Sequence, residues 1–268
     1  MLIGFNASRG SWWLKYGRGQ EHANTLKVTV QSWVDAHQGR AAWQPAKRFD
    51  TNLDCFIYYV ESIELPPIEW SLQIGDLLHN FRSALDHLAW YLVNAGTAAP
   101  PLKPRQVSFP IYDTAAAFKS AVGNSVPGIS AAQQAIIERH QPYHKSRDPQ
   151  FHPLALLRDL NNIDKHREIR VIVAQDFGTF SAQVIDQKGF VVERTEPASD
   201  LFAILRRYPG AEIARVYGRV TGDEEPSVTM LFQGTTGLAL EMGLPTIETL
   251  ETIETEVADV FNAFEAIL

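Results

Sequence analysis

Apolar side chains recur at every third or fourth position between residues 70 and 94, and this spacing predicts a long amphipathic α-helix. At about 100° per residue, these positions fall within one arc of about 100°, the width of a stripe that faces a protein core. Gly96 and the Pro100-Pro101 pair follow the stripe and predict where the helix ends. The apolar positions are Ile74, Leu77, Leu78, Phe81, Leu85, Leu88 and Leu92.

The same periodicity predicts helices on both sides of this one. The last of them, within residues 242–268, has a clean apolar stripe that must be buried against another element. Weaker patterns predict the remaining helices at 18–38, 114–122, 130–140 and 153–167.

Strand patterns occur in two parts of the chain. Residues 55–63 are rich in aromatic and β-branched side chains and end at Pro66-Pro67, which predicts an isolated strand after a loop at 39–45. Beyond Arg167 the period changes from helical to alternating, and turn-forming residues separate short apolar runs. These runs predict strands at 169–173, 180–185, 189–194, 213–221 and 228–233.

The order of these elements predicts the α+β class. Residues 1–167 are expected to form a mainly helical bundle with one strand near 55–63, residues 168–241 a small antiparallel sheet, and residues 242–268 a closing helix. Because no repeat, low-complexity run or long linker separates these parts, we expect a single domain over residues 1–268.

Composition adds the class of protein and the expected compartment. The chain has 268 residues, of which 45% are hydrophobic, and a formal net charge of -7. Its one cysteine, Cys55, excludes an intramolecular disulfide framework and a thiolate zinc site, and its apolar surroundings are typical of a buried side chain. No apolar run approaches the ~20 residues of a membrane span, and the first five residues do not resemble a signal peptide. We therefore expect a cytoplasmic protein without membrane association.

The net charge is an average over two unlike regions. Residues 1–48 carry seven basic and two acidic side chains, whereas residues 243–268 carry six acidic and no basic ones. The acidic total therefore does not exclude a local basic surface for an anionic ligand.

The polar face of the 70–94 helix is the first candidate for chemistry. A face that only meets water is usually filled with Lys and Glu, and this one contains neither. Its side chains favour specific hydrogen bonds over simple solvation of the helix, so we expect the face to be partly buried. Its residues are Asp76, His79, Asn80, Arg82, Ser83, Asp86, His87 and Trp90.

The second candidate is the end of the predicted 153–167 helix. Asn162 and His166 lie one turn apart there, and Lys165 and Arg167 crowd the last turn. Basic side chains at a helix C-terminus complement the helix dipole without any further function. The pattern therefore leaves two alternatives equally open: a structural polar network that joins the two helices, or a functional site that they share.

Arg82 and His87 suggest a first hypothesis, a metal-independent endoribonuclease or RNA-binding protein. The histidine can act as general acid or base on RNA near neutral pH, and the arginine can hold the phosphate. Their Cβ directions lie about 140° apart on a helix, so both converge on one phosphate most easily at a helix crossing or in a homodimer. The spacing is not specific, since Arg139 with His144 and Arg147 with His152 also have it. The predicted catalytic residues are Arg82, Asp86 and His87, and the predicted substrate-binding residues are His79, Asn80, Ser83, Asn162, Lys165, His166 and Arg167.

Four runs of sequence together resemble a group of uncharacterised bacterial proteins, a resemblance that implies no function. They are IGDLLHNFRSALDHLAW (74–90), FPI (109–111), QPY (141–143) and NNIDKHR (161–167). The Arg82 to His87 helix also resembles, more loosely, the RxxxxH helix of HEPN domains, which are helical bundles that often act as dimeric RNases in toxin and antiviral systems. That resemblance implies catalytic roles for Arg82 and His87. The strand-rich region at 169–233 departs from a minimal HEPN bundle.

Two further hypotheses remain open. In a metal-dependent helical-bundle enzyme, the ligands would come from Asp76, His79, His87 and His166, although the two Glu-x-x-His motifs of di-iron bundles do not occur. In a non-catalytic binding protein, Asp86, His87, Asn162 and His166 would form a buried polar network. No cofactor is expected, because the chain has no Walker loop or Gly-x-Gly-x-x-Gly sequence, and a Gly-x-Ser-x-Gly hydrolase elbow is also lacking.

Overall fold

A computed structural model describes most of the chain. The described residues are 10–37, 43–96, 101, 103–145, 147–175, 181–197, 210–233, 236–240 and 242–268. They fall into two compact units, and each is considered by itself. The first consists of residues up to Val28 with Glu69–Ile169 and Ile247–Leu268, and the second of Thr29–Ile68 with Arg170–Thr246. The α+β class is confirmed. The single domain expected from the sequence stays a prediction.

Helices make up most of the first unit. The helix bounds are α1 Ser11–Ala36, α2 Glu69–Gly96, α3 Ala115–Ser125, α4 Ala131–Arg139, α5 Pro142–Lys145, α6 Pro153–Asp164 and α7 Thr246–Glu265, with 3-10 turns at Pro104–Gln106 and Pro149–Phe151. The part of α1 after Val28 belongs to the second unit. The predicted apolar stripe of α2 is confirmed, since all seven of its side chains are fully buried. The stripe of α7 is buried as well, at Leu250, Ile253, Val257, Val260, Phe261 and Phe264.

Local sequence explains several of the helix starts. Ser130 and Gln133 form a capping box at the start of α4. The hydroxyl of Thr114 accepts the backbone N–H of Ala117 at the start of α3. At the start of α6, Pro153 follows the capping residue His152, whose ring accepts a backbone N–H as a side-chain cap does.

The second unit contains eight strands, and every pair among them is antiparallel, as predicted. Their bounds are β1 Trp43–Asp50, β2 Cys55–Ile63, β3 Val171–Gln175, β4 Ser181–Lys188, β5 Phe190–Pro197, β6 Glu212–Val220, β7 Ser227–Gln233 and β8 Thr236–Leu240. One sheet has the order β1-β2-β6-β5, and two further pairs are β3-β8 and β4-β7. Part of the predicted 180–185 strand lies outside the described residues.

Strand β1 corrects the prediction that residues 39–45 form a loop before an isolated strand. Trp43 to Pro45 belong to β1, which forms a hairpin with β2 in the register Phe49 to Phe56. The sequence did not predict this strand because it contains Pro45, Lys47 and Arg48. Proline and charged residues are uncommon in strands except at the edge of a sheet, where β1 lies. The hairpin turn is closed by Asp50, whose carboxylate accepts the N–H groups of two of the turn residues.

A compact apolar cluster holds the second unit together. It includes Phe56, Tyr58, Val216 and Phe190, and the Tyr58 hydroxyl donates a hydrogen bond to the carbonyl oxygen of Val228. Cys55 is fully buried, and its burial raises the pKa of the thiol, in keeping with the small buried hydrophobe that the sequence indicates. No helix within the described residues has the length and apolar character needed to cross a membrane.

Candidate functional site

Arg82 and Asp86, one turn apart on α2, form an ion pair and together hold a neighbouring segment of backbone. The Arg82 guanidinium donates from Nε to Asp86 Oδ2 (3.2 Å) and from Nη2 to Asp86 Oδ1 (2.8 Å). Nη2 also donates to the carbonyl oxygen of Phe109 (2.9 Å), while Asp86 Oδ1 accepts the backbone N–H of Phe109 (2.9 Å). Both backbone polar groups of Phe109 are therefore satisfied by α2, which fixes the Phe109-Pro110-Ile111 segment in place.

Gln141 holds the next part of the same segment. Its side chain is completely buried, and Nε2 donates to the carbonyl oxygens of Pro110 (2.9 Å) and Ile137 (3.1 Å). Its Oε1 accepts the backbone N–H of Tyr112 (2.9 Å). A buried amide that is satisfied at both ends is a strong structural constraint.

Arg158, on α6, closes the segment from the other side. It donates to both carboxylate oxygens of Asp113 (3.1 Å each) and to both of Asp159 (2.7 and 3.0 Å), with a longer bond to the carbonyl oxygen of Ile111 (3.4 Å). Hydrogen bonding to Asp159, and then to Asp113, raises the pKa of the Arg158 guanidinium further above its ordinary value. Three helical regions thus support one extended segment.

These elements surround an open cavity of about 350 Å³ in the first unit. Three of the side chains around it are basic and two are amides, and none of the described residues that line it is a carboxylate. The four runs that resemble uncharacterised bacterial proteins (74–90, 109–111, 141–143 and 161–167) each supply a residue that lines the cavity or a hydrogen bond that holds its wall. The lining residues are Arg82, Ser108, Phe109, Pro110, Ile111, Tyr112, Arg158, Asn161, Asn162 and Lys165.

The polar side chains of the lining differ in how many hydrogen bonds they already make within the protein. Arg158 is fully engaged, whereas Nη1 of Arg82 forms no hydrogen bond with any residue that the structure describes. Lys165 is exposed and has no ion pair among the described residues. Asn161 is 4% exposed, yet its amide makes no hydrogen bond within the described part of the chain. The cavity therefore offers free donors from three side chains and a free acceptor from Asn161.

Three of the predicted site residues line this cavity, namely Arg82, Asn162 and Lys165. His87 does not line it, and its Nδ1 lies 3.0 Å from the hydroxyl of Ser11 on α1. His79 is exposed, with Nε2 3.4 Å from the Ser83 hydroxyl.

Three other predicted substrate-binding residues also lie outside the lining. Asn80 is buried, and its amide donates to the carbonyl oxygen of Asp76 in its own helix (2.8 Å). Helix α6 ends at Asp164, before the predicted end at 167, so His166 does not share a helical face with Asn162 as expected. The backbone N–H groups of His166 and Arg167 both bond to the carbonyl oxygen of Ile163, which forms a tight turn after the helix.

The polar network in the structure has different members from the one predicted. Of the four residues expected in it, Asp86 alone takes part in the hydrogen bonds around the Phe109 segment within the described chain. His87 is partly exposed, and Asn162 and His166 are exposed. Sequence could not identify Gln141 and Arg158 as the other members. Gln141 bonds to backbone atoms about 30 residues away, and Arg158 bonds to the carboxylate of Asp113, 45 residues away.

The expected metal ligands are not brought together. Among the described residues, no group of three or more His, Cys, Asp or Glu side chains is arranged to hold a metal ion. Asp164 lies beside Asp76 instead, at a point where a Cβ on Gly75 would come within 2.3 Å of the Asp164 carboxylate. Burial raises the pKa of Asp164, and the charge of Asp76 adds to the effect while His79 opposes it. A side chain at position 75 would therefore force the Asp164 carboxylate to move.

A second polar cluster in the first unit was not identified from sequence. Glu256 on α7 is buried and accepts hydrogen bonds from Lys145 (2.8 and 3.0 Å), and its Oε1 lies 2.7 Å from Nδ1 of His140. His152 lies close enough for its charge state to be affected by all three. His140 bonds to Glu256 in this cluster, whereas Nδ1 of His152 accepts the backbone N–H of Leu154. No sequence signal could link Glu256 to residues more than a hundred positions earlier.

Comparisons of the chain with known protein families, with curated proteins and with solved structures found no match. Function is therefore inferred from the residues of the cavity.

Proposed function

We propose that this protein binds RNA and that the cavity between α2 and α6 holds part of its phosphate backbone. The observation that carries the proposal is the lining, which combines basic and amide side chains with no carboxylate among the residues described. Such a lining suits an anionic ligand with hydrogen-bonding groups, and RNA offers both.

The free positive charge at this site comes from Lys165. Arg82 is paired with Asp86, and Arg158 with Asp113 and Asp159, so these two arginines are neutralised and held in place. Lys165 adds an ammonium that pairs with no carboxylate in the described part of the chain, and Nη1 of Arg82 adds two donors. Charge-assisted hydrogen bonds from fixed cationic groups are among the stronger ones that proteins make to phosphate. Binding should therefore be modest in strength and sensitive to salt.

Replacing Lys165 with Glu is expected to weaken binding of a single-stranded RNA of about ten nucleotides by about tenfold or more, since it removes a phosphate contact and adds a repelling charge. Fluorescence anisotropy with a labelled oligonucleotide measures this directly. Lys119→Glu is the matched control, because Lys119 is an exposed lysine of α3 outside the lining and the substitution changes the net charge equally. Equal losses in the two variants, or no binding by the wild type, would contradict the proposal.

Metal-independent RNA cleavage is a second candidate function, and the accessibility of His87 favours it. His87 is partly exposed on the same helix as Arg82, and Nε2 has no hydrogen bond with the described residues, so this nitrogen is open to a substrate. Because His87 lies outside the lining, both residues could act on one phosphate only if a second copy of the chain supplied one of them. The alternative is that the same surface binds RNA without cutting it.

The same RNA, incubated with the protein under chelation and analysed on a denaturing gel, separates these two functions. A ribonuclease cuts it, and His87→Ala abolishes the cleavage whereas His144→Ala, at an exposed histidine, does not. Intact RNA with the wild type rejects cleavage and leaves RNA binding standing.

A further inference from the structure

We propose that the cavity takes up one unpaired nucleobase and that the amide of Asn161 recognises its edge. This inference rests on the proposed RNA binding and specifies the class of RNA. The observation behind it is the position of Asn161, whose side chain is 4% exposed, makes no hydrogen bond to a described residue and lines the cavity. Its amide atoms are not sealed off inside the protein, so they are open to a ligand through the cavity.

Two other buried amides of the same unit show what a structural role requires. Gln141 uses both ends of its amide to hold the Pro110 to Tyr112 backbone. Asn80 donates to the carbonyl oxygen of Asp76 within α2. The Asn161 amide has neither kind of bond and lies at the wall of the cavity, so its partner is expected to come from a ligand.

The chemistry of an amide distinguishes a nucleobase from a phosphate. A phosphate offers acceptors only, so it can satisfy the Nδ2 donors of Asn161 but leaves Oδ1 without a partner. The edge of a nucleobase presents a donor beside an acceptor and satisfies both ends of the amide. A base therefore suits the Asn161 amide better than a phosphate does.

The size of the cavity and the position of the Lys165 ammonium group both suit a single nucleotide. A volume of about 350 Å³ is at the lower end for ligand sites and admits one base, while a base pair within a helix cannot enter. Lys165 follows Asn161 by one helical turn, so it is placed to meet the phosphate attached to that base. Tyr112 supplies an aromatic side chain to the same wall, and bases stack on such rings.

Three RNAs of one length test this inference by anisotropy: a single strand, the same strand in a duplex, and a single strand whose bases are replaced by abasic sites. The wild type is expected to bind the intact single strand at least about tenfold more tightly than either of the others. In Asn161→Ala, affinity for the intact strand should fall to that for the abasic strand, which itself is unchanged. Asn94→Ala, at an exposed asparagine of α2, should behave as the wild type does.

The outcomes separate this inference from the function on which it rests. Equal binding of the duplex or of the abasic strand by the wild type overturns base recognition and leaves RNA binding intact. Lack of binding to any of the three overturns both. Should Asn161→Ala prove unfolded by circular dichroism, Asn161→Asp keeps the size of the side chain while removing its donors, and an unchanged preference for intact RNA in that variant also overturns the inference.

Discussion

Replacing Glu256 with Ala is expected to lower the free energy of unfolding by about 3 kcal/mol, because it leaves His140 and Lys145 without their buried partner. Loss of one member of a buried ion pair costs about 3 to 5 kcal/mol, and the lower end applies here because Lys145 is partly exposed and can be rehydrated. Urea denaturation followed by circular dichroism measures the change.

Glu251 provides the matched control on the same helix. It also pairs with a lysine, Lys27, at 3.1 Å, but the pair is exposed, and such pairs contribute less than about 1 kcal/mol. A loss in Glu256→Ala no larger than that in Glu251→Ala would show that the buried cluster does not stabilise the fold.

The second large effect concerns pH and His152. Nδ1 of this buried ring accepts the backbone N–H of Leu154 at the start of α6, so the neutral ring carries its proton on Nε2, which has no partner among the described residues. Burial lowers the pKa of His152 below its ordinary value of 6.5, Lys145 and His140 lower it further, and Glu256 opposes them. Protonation would also convert Nδ1 into a donor and remove the cap of α6.

The direction of the pH effect follows from proton binding in the two states. Below pH 6.5 the unfolded chain takes up a proton on His152 that the folded chain does not, so stability falls as the pH is lowered. The loss is up to about 1.4 kcal/mol for each pH unit until the pKa of His152 in the folded protein is reached.

Glu256 affects stability at lower pH. Burial raises the pKa of its carboxyl group, but the hydrogen bonds from His140 and Lys145 outweigh burial and lower the pKa below 4.5. The stability that Glu256 contributes is therefore present above pH 4.5 and is lost as the pH falls through the pKa of the folded protein.

His152→Asn tests this effect, because asparagine caps a helix well and does not titrate. Urea denaturation at several pH values should show a smaller loss of stability in this variant than in the wild type between neutral pH and about pH 5. His166→Asn, at an exposed histidine after α6, should keep the wild-type profile. The account of His152 is wrong if all three proteins lose stability equally over that range.

The helices were predictable because their apolar periodicity is local. The stripe of α2 predicts residues 70–94, and the helix is Glu69–Gly96. Strand β1 was not predictable in this way, since Pro45 and its charged neighbours do not alternate with apolar residues and the strand depends on pairing with β2. The predicted end of α6 extended to 167, because Lys165, His166 and Arg167 are typical of a last helical turn and here lie just beyond it.

The candidate site was predictable only in part. The polar face of α2 and the end of the predicted 153–167 helix indicate Arg82, Asn162 and Lys165, which the structure brings to one cavity. The principal partners of Arg82 and Gln141 include backbone atoms of the Phe109 segment, and backbone groups leave no mark in a sequence. Asn161 lies within the run NNIDKHR, but its place in the wall of the cavity is a property of the folded chain.

Photocrosslinking of RNA to the wild-type protein tests directly whether RNA binds at the cavity between α2 and α6. A single-stranded oligonucleotide carrying 4-thiouridine is irradiated with the protein, and the linked peptides are identified by mass spectrometry. We expect crosslinks within residues 108–112 and 158–165, and we expect unlabelled single-stranded RNA to compete with their formation. Crosslinks confined to the strands of the second unit, or none at all, would contradict an RNA site between α2 and α6.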